Sequence, residues 1–231
     1  MSDTETVEKT EEEENEENGN PLLLLTDLLG DPSDKEPLRK IGVIGDIAEE
    51  NTSDIIYGML ALHDTRFKDK AKDAENPDGE TERVSQPFEM IISTNGGDAR
   101  EMFAIYDMMR FLRKDCDIET MGIGKVMSAG VPLLAAGTKG KRVALPHSRI
   151  MIHEPLGGTA QRQASDIEIH AREILDLRKR LNGIYEKHTG KSLKQVEKIM
   201  ERDTFMTAED AKSFGLIDEV VTKRPVPDKE V

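Results

Sequence analysis

The chain has 231 residues, 36% of them hydrophobic and 34% charged, with a net charge of −14, a length that supports one sizeable core with tails. Of that charge, −8 falls in residues 1–18, where Asp3, Glu5, Glu8, Glu11, Glu12, Glu13, Glu14, Glu16 and Glu17 face only Lys9; the remaining chain carries −6 and offers phosphates no concentrated basic stretch. The single cysteine, Cys116, excludes an internal disulfide framework and a multi-thiolate metal site, and no apolar run nears the ~20 residues of a membrane span.

An acidic N-terminus is the reverse of a secretory signal, so the expectation is a soluble cytoplasmic protein that engages neither nucleic acid nor membrane. Residues 1–20 have almost nothing to bury and read as a disordered acidic tail. Residues 21–38 follow as a separate N-terminal segment. Its six leucines between Leu22 and Leu29 need a cover, either their own domain or the surface of another subunit or partner. The main body runs from 39 to 222, with a short tail over 223–231.

Within the body, Lys40–Ile47 reads as a strand. Ser53 to His63 reads as a helix that buries Ile55, Ile56, Met59, Leu60 and Leu62. Asp64 to Gln86 is poor in apolar residues and reads as a long exposed loop. Phe88–Ser93 is a short strand closed by the turn Asn95-Gly96-Gly97. Met102, Ile105, Met109 and Leu112 then follow helical spacing. Asp117–Met121 is a strand candidate, and a helix of small residues starts near Ser128. Val143–Leu145 and Arg149–Ile152 are further short strands. A long helix extends from Asp166 to about His188 and is stopped by Gly190, with i,i+4 pairs Glu168–Arg172 and Asp176–Arg180 on its polar side. Thr207 is a predicted N-cap, Gly215 a C-terminal stop and Leu216–Val221 a last strand. This alternation predicts an α/β domain with buried parallel strand pairs.

The segment 122–142, GIGKVMSAGVPLLAAGTKGKR, holds the sharpest chemical signal. Ser128 stands at a tight turn into a helix, where a serine Oγ is pushed clear of the chain and the Ala129 N–H can face a developing oxyanion. The same serine also suits a plain N-cap. A nucleophilic serine needs a base, and His153 ends an apolar strand and opens a glycine-containing loop, the usual place for site residues in an α/β sheet. His63, His147, His170 and His188 lack that setting, and His170 and His188 read as surface or interface residues of the long helix. A carboxylate would complete the set. With 46 acids in the chain the sequence alone does not choose it; Asp203, beside the apolar Phe205 and Met206, is one candidate, expected to be partly buried. Gly96 and Gly97 at a strand end allow a backbone to approach a ligand closely.

Together these residues closely resemble the ClpP family of self-compartmentalised serine proteases. Gly124-Lys125-Val126-Met127-Ser128-Ala129-Gly130 followed by LLAAGTKGKR is similar to its nucleophile block, and 145–158 is similar to its histidine block. Asp166 to Leu175 resembles the start of its handle helix, and Arg202 to Glu209 with Gly215-Leu216-Ile217-Asp218 its aspartate block. The resemblance runs from about Phe88 to Val221. It implies Ser128 as nucleophile, His153 as general base and then acid, and Asp203 as orienting carboxylate, with Gly97 and Ala129 N–H groups forming an oxyanion hole. Substrate would lie as an extended strand among Gly96, Asp98 and Ala99 on one side and Leu156, Gly157 and Gly158 on the other.

The implied fold is the ClpP/crotonase-like spiral of ββα units with a protruding handle helix, making 39–222 the protease domain. Two stacked heptameric rings, a tetradecamer of this chain, would work with a hexameric AAA+ Clp-type ATPase on unfolded proteins, and no metal or cofactor is implied. A non-catalytic ring subunit and a crotonase-type acyl-CoA enzyme are the competing expectations. The sequence departs from the family pattern at Lys125, Asn95, the slightly longer 159–163 segment, the much longer loop between His63 and Gln86, and residues 1–38.

Overall fold

A computed structural model describes residues 38–72, 79–156 and 163–223. The acidic tail 1–20, residues 21–37 of the N-terminal segment, Gly157, Gly158 and residues 224–231 lie outside the described residues.

The described body is mixed α/β. Its main sheet has seven strands: β1 (Lys40–Ile44), β4 (Phe88–Thr94), β5 (Ile118–Met127), β6 (Arg142–Ala144), β7 (Arg149–Ile152), β8 (Thr204–Met206) and β9 (Glu219–Val220). They run in the order β1-β4-β5-β6-β9, with β7 paired to β5 and β8. All these pairings are parallel except β7 with β8. Parallel pairing needs crossovers, which bury both sheet faces and favour strands with apolar side chains. β4 buries one face fully, with Phe88, Met90 and Ile92 no more than 1% exposed, and half-buries the other through Glu89, Ile91 and Ser93.

Among the described residues six helices accompany the sheet: α1 (Glu49–Asp64), α2 (Ala99–Leu112), α3 (Gly130–Ala135), α4 (Ala164–Thr189), α5 (Leu193–Met200) and α6 (Ala208–Phe214). The buried residues of α2 are Met102, Ile105, Tyr106, Met109 and Leu112, the helical spacing anticipated from sequence. Thr207 caps α6 by accepting from the Asp210 N–H, and Gly190 and Gly215 end α4 and α6 in left-handed conformations, as glycines at that position do.

β5 places the site. Its first half pairs with β6 through Thr120–Gly122, and its last residues, Lys125–Met127, pair with β7. Between Ile92/Gly122 and Thr94/Val126 the register against β4 shifts, at Gly124, whose φ is +61°. This bulge turns the strand end toward β7. The strand therefore runs six residues beyond the Met121 end expected from sequence, because the glycine-rich stretch stays paired.

The segment from Asp64 to Gln86 corrects the expectation of a loop. β2 (Phe67–Ala71) and β3 (Thr81–Ser85) form an antiparallel two-stranded sheet. Nearly all its side chains are exposed, so no apolar alternation advertises it. Phe67 is packed between two guanidinium groups, Arg66 at 4.3 Å and Arg83 at 4.4 Å from the ring centre, a cation–π arrangement. Smaller differences are local. α1 begins at Glu49 rather than Ser53, and β1 stops at Ile44, with Ile47 bridging to Gly97. The strand expected at Leu216–Val221 is confined to Glu219–Val220.

Candidate active site

Ser128 follows the end of β5 and is the only non-glycine residue with positive φ, +51°, among the described residues. Such a conformation costs about 1–3 kcal/mol and persists only where the surroundings enforce it. Here the Ser128 N–H donates to Met151 O at 2.8 Å, and its carbonyl accepts from Val131 N at 3.0 Å. The helix that follows, α3, is buried at every residue, and Gly130 sits so close to β4 that a Cβ would come within 2.3 Å of Thr94 Cγ2. The helix therefore starts at Gly130, not at Ser128, and the serine occupies the bend before it.

The β4–α2 turn is pressed against this bend. At Gly96 a Cβ would lie 2.6 Å from Ser128 Cβ, and at Gly97 one would lie 2.0 Å from Ile47 O. Hydrogen bonds from Ile47 N to Gly96 O (2.8 Å) and from Asp98 N to Ile47 O (2.9 Å) fix the turn. Among the described residues neither the Gly97 nor the Ala129 N–H donates a hydrogen bond. Two uncommitted amides beside a serine can receive a developing negative charge.

His153 continues from β7, half-buried, and its Nε2 lies 2.7 Å from Ser128 Oγ. That separation permits direct proton exchange. Among the described residues no bond joins Asp203 to this pair. The antiparallel register Ile150↔Met206, Met151↔Phe205, Ile152↔Thr204 carries on to place residue 203 opposite residue 153. Its side chain, however, is exposed rather than partly buried as expected, and among the described residues no hydrogen bond joins it to His153. It stands at the end of a three-residue strand, beyond the last paired residue.

A cleft of about 510 Å³ opens over Ser128 and His153 and is lined by Asp98, Ala99 and Leu156 among the anticipated substrate residues. Gly96 lies behind Ser128 rather than in the lining, and Gly157 and Gly158 fall outside the described residues. Sequence reasoning missed the far wall, which α4 supplies through Ile174, Leu177 and Leu181. Their 3- and 4-residue spacing puts them on one helical face, a pattern that fits a core stripe equally well. Glu154 also ties the histidine loop to α4 through a 2.8 Å ion pair with Arg178.

The remaining histidines have other settings. His170 also lines the cleft. His188, expected at the surface or an interface, is half-buried, and its Nε2 lies 2.8 Å from Tyr106 Oη. Burial, with Arg113, Arg142, Arg110 and Lys187 nearby, pushes its pKa down to about 4. Cys116 is buried, and among the described residues no three His, Cys, Asp or Glu side chains converge as a metal site. No described helix is long and apolar enough to cross a membrane.

Residues 79–224 match the family model for Clp protease. The chain is 52% identical over 143 residues to the ATP-dependent Clp protease proteolytic subunit 2 of Prochlorococcus marinus strain NATL2A, an alignment spanning 62% of this chain and 70% of that protein. It is 53% identical over 138 residues to the protein of the same name from strain MIT 9312, spanning 60% and 67% respectively.

Proposed function

The chain belongs to the Clp protease family, and on that premise we propose that it is the proteolytic subunit of an ATP-dependent Clp protease, a serine endopeptidase acting through an acyl-enzyme on Ser128. The observation that carries this reading is the 2.7 Å contact between His153 Nε2 and Ser128 Oγ, made by a serine held in a strained bend. As Ser128 Oγ attacks the scissile carbonyl carbon, its proton passes to His153 Nε2. The carbonyl oxygen becomes an oxyanion between the Gly97 and Ala129 N–H groups. Collapse of this intermediate breaks the C–N bond, and His153 delivers its proton to the leaving amine. Water then attacks the acyl-enzyme with His153 again as base, which releases the acid product and restores Ser128.

Asp203 is assigned the orienting role, accepting from His153 Nδ1–H once its side chain turns inward across the β7–β8 pair. The extended substrate is placed between Gly96–Ala99 and Leu156–Gly158. The assembly proposed is two stacked heptameric rings that receive unfolded chains from a hexameric AAA+ ATPase. Replacing Ser128 by Ala is expected to lower peptide hydrolysis by about 10⁴-fold or more. Turnover of an acyl-CoA substrate that survives Ser128→Ala would instead favour a crotonase-type acyl-CoA enzyme.

The exposed Asp203 side chain, without a bond to His153 among the described residues, favours one other reading, a ring subunit that is catalytically silent. Under the main reading Asp203→Asn lowers kcat by orders of magnitude. A subunit with no measurable hydrolysis in its largest assembled form, and hence none for Asp203→Asn to remove, would establish the silent reading.

A further inference from the structure

Resting on the assignment of Ser128 as nucleophile, we propose that Arg142 and Arg113 are positioning residues for that serine, holding the carbonyl end of α3 so that its other end keeps Ser128 in its bend. α3 has six residues, a rise of about 9 Å, and so short a helix has little stability of its own. All six are apolar or glycine and buried, so the helix carries no polar side chain with which to anchor itself.

Its terminal carbonyls are instead bound from outside. Thr120 Oγ1 donates to Leu134 O at 2.8 Å, and Arg142 Nη1 donates to Ala135 O at 3.4 Å. Arg113 Nη1 donates to Ala136 O at 2.9 Å and to Gly137 O at 3.0 Å. The carbonyls of Leu134, Ala135 and Ala136, groups a helix end leaves unpaired, and that of Gly137 just beyond the C-cap thus have side-chain donors. Two of those donors are cations, which the negative end of a helix favours.

Arg142 is itself held rigidly. It is 4% exposed, and its Nε and Nη2 donate to Asp218 Oδ2 and Oδ1 at 2.9 and 2.6 Å, a forked pair. Asp218 Oδ2 also accepts from Gly140 N at 2.7 Å, and Arg142 Nη1 reaches His188 O near the end of α4 at 3.2 Å. Burial pushes the Asp218 carboxyl up, but the hydrogen bonds and charge of Arg142 outweigh it and leave the pKa below the ordinary carboxylate range.

The consequence for chemistry follows from the packing. The bond from Val131 N to Ser128 O links α3 directly to the serine, and the close approach of Gly130 to Thr94 sets the same end of the helix against β4. A shift of the loosened far end is therefore passed to Oγ, and misplacement of a reacting atom by about 1 Å costs on the order of 100-fold in rate. Neither arginine touches the cleft, so substrate affinity and the titration of the base should be left alone.

The test uses the full chain with Arg142→Lys, which keeps the charge but loses the fork, and Arg113→Met, at a half-buried site. Both are treated with a fluorophosphonate probe while labelling rate and final stoichiometry are followed. Expected is a rate constant about 10- to 100-fold lower at wild-type stoichiometry, with KM for a short peptide and the shape of the pH–rate profile unchanged. Labelled chains that react at the wild-type rate would overturn the proposal, even if fewer chains label or Tm falls. Should Arg142→Lys not fold, Arg113→Met alone decides. No label on the wild-type chain would overturn the nucleophile assignment itself, and this inference with it.

Discussion

At Gly96 the space available decides the outcome of a single methyl group. A Cβ there meets Ser128 Cβ at 2.6 Å, and the φ of +107° disfavours any L side chain. Gly96→Ala is therefore expected to cost about 2 kcal/mol or more of stability, read by denaturant unfolding. It should also lower peptide hydrolysis more than that loss explains, because the serine is what must move. His188 gives a pH prediction. Its pKa lies near 4 in the folded chain because burial and neighbouring cations oppose its charge, against 6.5 ordinarily. Above pH 6.5 both states hold it neutral and it adds no pH dependence. Between 6.5 and 4 the unfolded chain takes up a proton that the folded chain refuses, so stability falls as pH falls; below 4 this contribution levels off. Thermal melts across that window should show the decline, and His188→Asn should flatten it. An unchanged slope in the variant would refute the assignment.

Among the elements, those with an apolar period were legible from sequence. α2 and the second half of α4 announce themselves by spacing, and Thr207, Gly190 and Gly215 mark helix ends by chemistry that needs no tertiary context. Ser128 and His153 were legible from motif resemblance, and the structure brings them within hydrogen-bond reach. What stayed hidden depends on pairing between distant segments. β8 is three residues long and is defined by its partner β7. The β2–β3 hairpin is polar on both faces and is steadied by Phe67 between two arginines. The α4 wall of the cleft is hidden for a third reason: an apolar stripe does not say whether it faces a core, a cleft or another subunit. Because none of the hairpin's residues lines the cleft, replacing 67–85 by a short turn should leave peptide hydrolysis by the purified protein largely unchanged. A loss of turnover with the fold intact would give the hairpin a role in the site.

On the scale of the whole molecule, α4 carries more apolar surface than its own domain covers. Ile167, Ile169 and Leu175 are 43%, 64% and 59% exposed, whereas the buried residues of the helix are Asn182, Ile184 and Tyr185, near its C-terminal end. Exposed apolar side chains on one long helix are a basis for association. Light scattering at micromolar concentration is expected to report a large homo-oligomer, and Ile169→Glu with Leu175→Glu should shift it to smaller species; a wild-type monomer would contradict the ring assembly. A serine endopeptidase needs an activated serine, and the proposed one is Ser128. The most direct test of that assignment is to treat the largest oligomeric fraction with a fluorophosphonate probe and locate the adduct by mass spectrometry, with Ser128→Ala as control. One adduct is expected, on Ser128 and absent from the variant. An unlabelled Ser128 in that assembled fraction would contradict it.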